Sequence, residues 1–188
     1  LRDMARDWAN EQSPVTAFRK VRDAGEAIGF DPKAFAAQAE MGWTGVIIPE
    51  AYGGSDFGYL SLGLVLEETG RTLTASPLGT TALAATSALL LAGSEAQKQA
   101  WLPKIASGDI IAALAVDEGP RHDPSKIATK AEKSGDGWTL SGTKKFVAEG
   151  DGAHLFVVAA QTGSGIGLFL VPADAKGVSR ASRNMVDA

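Results

Sequence analysis

The 188-residue chain predicts an α+β protein, with an all-helical N-terminal domain over residues 1–109 followed by an antiparallel, barrel-like β domain over 110–188. Helix start signals punctuate the first part: Ser13-Pro14, Asp31-Pro32 and the pair Ser94 and Gln97. Short apolar runs at 110–116, 154–160 and 166–171 mark the second, with the length and β-branching of buried strands. Between them lies SGDGWTLSGTKKFVAEG, residues 134–150, which predicts a hairpin. Gly135, Asp136 and Gly137 supply a permissive turn, Trp138 and Leu140 alternate with Thr139 and Ser141, and Gly142 opens a return toward Phe146 and Val147.

In chain order, residues 1–11 and 14–28 carry helical patterns, the second with Ser13 as N-cap and Pro14 at its first position. Asp31 and Pro32 repeat that signal ahead of an apolar face formed by Phe35, Ala36, Ala39 and Met41. Val46-Ile47-Ile48 then meets Pro49 and Gly53-Gly54, a tight ordered loop. Its GGSDFG lacks the lysine and spacing of a phosphate-binding loop, so it reads as a structural turn. A helix over 57–70 carries Glu67 and Glu68, which point about 100° apart, so at most one can face any site. The pair reads as a polar helix end.

Residues 80–93 read as a buried helix, too short and too rich in hydroxyls to span a membrane. Ser94 and Gln97 have capping-box spacing for a helix that turns Ala100, Trp101 and Ile105 inward and that Pro103 should bend or shorten. Gly108 releases the chain into the first strand.

Composition excludes several chemistries. Hydrophobic residues make up 45% and charged residues 21%, ordinary for a chain that buries a core. The net charge of −4 comes without any basic block, which gives no support to nucleic-acid capture. No cysteine means no disulfide, thiolate zinc site or cysteine nucleophile. His122 and His154 are the only histidines and fit no metal-ligand spacing, so no metal is expected. No signal peptide is visible, and the expected location is cytoplasmic, or the mitochondrial matrix in a eukaryote.

Polar residues crowd the segment DEGPRHDP, 117–124, where Gly119, Pro120 and Pro124 prevent regular structure. Asp117, Glu118, Arg121, His122 and Asp123 form either a site or a solvated loop, with no serine or cysteine nucleophile beside them. Lys144 and Lys145 suit an anionic cofactor, yet on a strand only one of them faces a given side.

The motifs GWTGVIIPEAYGG at 42–54, LEETGR at 66–71, GSEAQKQAWLPKIASGD at 93–109, GDGWTLSGTKKFV at 135–147 and LFLVPADAKGV at 168–178 occur in an order that resembles the acyl-CoA dehydrogenase family. The departures described below resemble its divergent branch from bacterial steroid and ring-compound degradation, in which two different subunits can share a site. The resemblance covers nearly the whole chain. It implies the family's N-terminal helical and middle β domains, with the C-terminal helical bundle absent. It also implies FAD, an acyl-CoA substrate, an electron-transfer flavoprotein or similar acceptor, and a homo- or hetero-oligomer. The usual carboxylate base comes from the absent region, so no residue of this chain is assigned as catalytic.

The family's flavin loop, T-E-P-G-x-G-S-D, places its threonine and glutamate on Asp117 and Glu118 and its serine on Asp123. Pro120 and His122 replace small glycines, and Asp123 puts a negative charge where a hydroxyl serves the pyrophosphate. The second flavin motif, K-x-W-I-T-N, falls on residues 144–149, where Phe146 retains a stacking ring and Ala148 lacks the side-chain hydroxyl. The resemblance therefore implies FAD contacts from Leu114, Val116, Asp117, Asp123, Phe146 and Ala148. Two other roles stand beside the dehydrogenase: a noncatalytic structural subunit of a heteromeric assembly, and a small acyl-binding protein.

Overall fold

The computed structural model describes residues 1–25 and 28–183. The N-terminal part holds helices α1 (Arg2–Gln12), α2 (Val15–Ala24), α3 (Pro32–Glu40) and α4 (Gly58–Arg71), a π-helical segment Gly79–Ala85 that runs into α5 (Thr86–Ala92), and α6 (Glu95–Ala106). Strands β1 (Ala112–Ala115), β2 (Lys130–Ser134), β3 (Gly137–Ser141), β4 (Leu155–Thr162) and β5 (Gly165–Pro172) follow. The order of helices before sheet is as the sequence predicts; residues 26–27 of the expected second helix and 184–188 of the expected β domain lie outside the described residues.

Local side-chain chemistry explains the starts of α3 and α6. The Asp31 side chain accepts from the Lys33 amide with Pro32 at the first turn of α3. At α6 the capping box closes in both directions: Gln97 N donates to Ser94 Oγ, and Ser94 N to Gln97 Oε1. Ser13 does not cap α2, because Pro14 is itself the extended residue ahead of Val15, and Ser13 instead closes α1 through its amide to Ala9 O. Pro103 sits inside α6 without ending it.

Burial corrects some inward-facing residues. In α3 the buried positions are Phe35 and Gln38, whereas Ala36 is exposed. In α6 they are Leu102, Ile105 and Ala106, with Ala100 outside. Residues 46–48 are fully packed between two short 3₁₀ turns, and a Cβ on Gly54 would strike the Ile48 carbonyl, so the glycine serves close packing. Glu67 is exposed on α4, but Glu68 is buried, held by Arg6 Nη2 at 3.0 Å and Arg71 Nε at 3.1 Å, with Arg2 Nε at 3.7 Å. This cluster fastens α1 to α4, and the hydrogen bond from Arg6 leads the causes that keep the Glu68 carboxyl below its ordinary range.

The sheet is mixed rather than wholly antiparallel. β4 pairs antiparallel with β5 along Leu155–Thr162, while its other edge takes β1 in parallel over Leu155–Val158 and β2 in parallel at Gln161. β2 and β3 form the antiparallel hairpin, turning at Gly135-Asp136. The return strand expected beyond Gly142 is a loop, in which Phe146 and Glu149 adopt positive φ of 55° and 57°. Between β1 and β2 the β4 edge is interrupted, and the segment 116–129 leaves the sheet there.

Helices and sheet share a core. Ile48, Leu89, Leu102 and Ile105 pack with Ala112, Leu155 and Val157. A second cluster joins Phe30 and Phe35 to Ile111, Ala113 and Phe156. The buried Thr81 hydroxyl adds polar attachment, donating to Ala112 O and accepting from Ala112 N. Among the described residues no helix is long and apolar enough to cross a membrane.

Candidate functional site

The two loops that carry most of the candidate residues meet where β1 ends. Lys145 N donates to Asp117 O at 2.7 Å, and Lys144 Nζ donates to Val116 O at 3.0 Å and to Glu118 Oε1 at 2.6 Å. Val116 and Asp117 are thereby brought beside the loop that bears Phe146 and Ala148. Phe146 is 55% exposed in a left-handed conformation that non-glycine residues rarely adopt, so the local fold holds an aromatic ring at the surface against its backbone preference. Ala148 is exposed as well, and it offers main-chain groups only.

Leu114 is half-buried on β1 and packs against the shared core of α5, α6 and β4. The Asp117 carboxylate lies 2.9 Å from His122 Nδ1. Asp123 sits in a local turn, where it accepts from Ser125 N and Ser125 Oγ and pairs with Lys126 at 2.9 Å. The Ser125 hydroxyl, then Lys126, hold its carboxyl below the usual range. The crowded 117–123 segment is thus divided: Asp117 with His122, Asp123 with Ser125 and Lys126, and Glu118 turned inward.

Glu118 is the group whose role local reading could not supply. Its two oxygens accept from Ala128 N, Thr129 N, Thr129 Oγ1 and Lys144 Nζ. Burial raises its pKa, but the Lys144 ammonium, the Thr129 hydroxyl and the backbone amides outweigh that and bring it down to about 2. It is an ionised anchor, unsuited to proton transfer near neutrality. Lys144, expected on a strand, is on a loop and spends its charge on Glu118, whereas Lys145 keeps an exposed side chain. Nothing local in the sequence signals a partnership across 26 residues.

A second clamp was also unforeseen. Arg180 Nη1 donates to Gly150 O, Asp151 O and Ala153 O, and Ser182 Oγ donates to Asp151 Oδ2, tying the segment after β5 over the far end of the Phe146 loop. His154 accepts on Nδ1 from Ile111 N, which assigns it the Nε2–H tautomer and a role in joining β1 to β4. Among the described residues no group of three or more His, Asp or Glu side chains could hold a metal ion.

The donor set suits a planar aromatic cofactor on the Phe146 side: an exposed ring, main-chain groups of the adjoining loop and the Lys145 charge. It suits a pyrophosphate poorly at Asp123, whose carboxylate is anionic and already satisfied.

Family models for the "Acyl-CoA dehydrogenase, N-terminal domain" and the "Acyl-CoA dehydrogenase, middle domain" match residues 1–109 and 112–186. The (2S)-methylsuccinyl-CoA dehydrogenase of Cereibacter sphaeroides is 34% identical over 165 residues, covering 86% of this chain and 29% of its own length. Among solved structures, a variant of the Tcur3481-Tcur3483 steroid ACAD superposes with a TM-score of 0.85 at 34% identity, covering 94% of this chain and 48% of its own. A protein described as an FAD-dependent dehydrogenase gives 0.71 at 33% identity, over 87% and 47%. The chain spans less than half the length of each of these relatives.

Proposed function

Because the chain belongs to the acyl-CoA dehydrogenase family, we propose that it forms the helical and middle domains of an FAD-dependent dehydrogenase acting on an acyl-CoA thioester. The supporting observation is the convergence of Val116–Glu118 with Lys144–Ala148, which presents Phe146 as an exposed stacking ring at the end of β1. Val116, Asp117, Phe146 and Ala148 would meet the flavin ring, with Leu114 supporting them from the core side and Asp123 nearest the phosphates. When bound, FAD supplies the acceptor for the β-hydride, at flavin N5, as the α-proton leaves to a base.

The chain's own residues position and shield. Main-chain groups around Phe146 fix the ring's orientation, and Lys145 offers charge to an anionic part of the ligand. Neither Glu68 nor Glu118 serves as the base, since Glu68 is committed to arginines and Glu118 to Lys144 and Thr129. The base belongs to a part of the active unit outside these residues, together with the acyl-chain pocket. An electron-transfer flavoprotein, or an acceptor like it, would reoxidise the flavin, and association into an oligomer would complete the site.

A second reading, a noncatalytic subunit that lends its fold to a competent partner, is favoured by one observation. Pro120, His122 and the satisfied Asp123 stand in the loop expected to approach the cofactor phosphates. The visible spectrum of the purified protein, recorded after incubation with FAD and desalting, separates the two. Retained flavin bands support the dehydrogenase; their loss despite excess FAD refutes it for this chain and supports the partner-dependent subunit.

A further inference from the structure

Building on the flavin reading above, we propose that the Lys144–Glu118 ion pair is the positioning device of the cofactor face, setting the Phe146 loop against the end of β1 before any ligand arrives. Both side chains are nearly buried, 9% exposed for Lys144 and 13% for Glu118. Removing two charges from water costs several kcal/mol per ion and is offset only when every hydrogen-bonding position is satisfied in good geometry. Here most of those positions are filled, with two of the three Lys144 N–H donors and both Glu118 oxygens engaged. Glu118 receives four donors from two segments, residues 128–129 and Lys144, and Lys144 adds a bond to the Val116 carbonyl.

The consequence is geometric. Glu118 fixes residues 128–129 just before β2, and Thr129 O accepts from Gln161 N, so the anchor is wired into β4. Lys144 is held from that anchor, and the next residue closes the gap through Lys145 N to Asp117 O. Phe146 follows immediately, at its positive φ. The exposed ring is therefore carried by a short piece of chain whose preceding two residues are both bonded to β1's exit. An apolar pair could fill the same volume, but it would leave the Val116 carbonyl and the 128–129 amides without these partners. The pair also neutralises itself, leaving Lys145 as an exposed cation next to Phe146 in the chain.

The test titrates FAD into the wild-type chain, Lys144→Met and the near-isosteric Glu118→Gln, following flavin fluorescence and visible circular dichroism, with far-ultraviolet spectra confirming that each is folded. The expected result is a dissociation constant for FAD about tenfold or more higher in the variants, as loss of a charge-assisted hydrogen bond implies, together with an altered flavin dichroism. A purely structural pair would lower the melting temperature while the folded variants bound FAD as wild type does, and that overturns the positioning role while leaving the flavin reading intact. Should Lys144→Met not fold, Glu118→Gln decides by the same criterion. No FAD binding by wild type overturns both.

Discussion

Replacing Leu155 by alanine tests whether helices and sheet stand on one core. Leu155 is fully buried at the start of β4, in the cluster with Ile48, Leu89, Leu102 and Ile105 from the helical part. Emptying such a site costs about 3–4 kcal/mol, the transfer of the lost methyl groups plus the cavity left behind. For a chain of this size each kcal/mol lowers the melting temperature by roughly 2–4 °C, so a fall of about 6–16 °C is expected. Thermal unfolding by circular dichroism measures the shift, and amide hydrogen exchange locates it. If the core is shared, protection falls together in β4 and in α4, although α4 contributes no residue to this cluster. Loss of protection in β4 with α4 unchanged would show that the two parts unfold independently and refute the shared-core argument.

Gly108→Ala should destabilise by roughly 2 kcal/mol or more, because Gly108 has φ of +78° and its new Cβ would strike the Ala39 methyl; a urea midpoint equal to wild type would refute this. The Glu118 carboxyl is held down to about 2 from 4.5, so its stabilising contribution is complete above pH about 4.5 and disappears as pH falls toward 2. Urea midpoints measured from pH 7 to 2 should therefore show wild type more stable than Glu118→Gln at the upper end, with the difference closing toward pH 2; a constant difference would contradict the assigned cause.

What was legible in the sequence is what short stretches of chain decide for themselves. The Asp31 cap and the Ser94–Gln97 box involve residues two or three positions apart, and the turn at Gly135-Asp136 needs only its own backbone freedom. The failures are non-local. β1 pairs parallel to β4 because a long excursion separates them, and alternation within one strand carries no information about a neighbour's direction. The expected return strand after Gly142 has apolar residues at strand-like positions, but Lys144 and Lys145 are drawn to Val116, Glu118 and Asp117, and the chain curls into a loop.

Buried polar groups show the same limit in its sharpest form. Hydropathy assigns Glu68, Gln38, Lys144 and Glu118 to the surface, since an isolated charge or amide is costly to remove from water. Each is largely buried: Glu68 receives arginines from α1 and α4, Gln38 accepts from Ser76, and Lys144 and Glu118 receive each other. Those partners are supplied by the tertiary fold and are not visible until distant segments meet. The candidate residues behaved accordingly. The resemblance pointed to both loops, but the geometry that joins them resides in Glu118, which was assigned no cofactor contact, and in Lys144, which was read only as one of two lysines suited to an anionic cofactor. A side chain that orients a site can remain silent in its local pattern because its effect is exerted through main-chain groups of other residues, here the Val116 carbonyl and the backbone leading into Phe146.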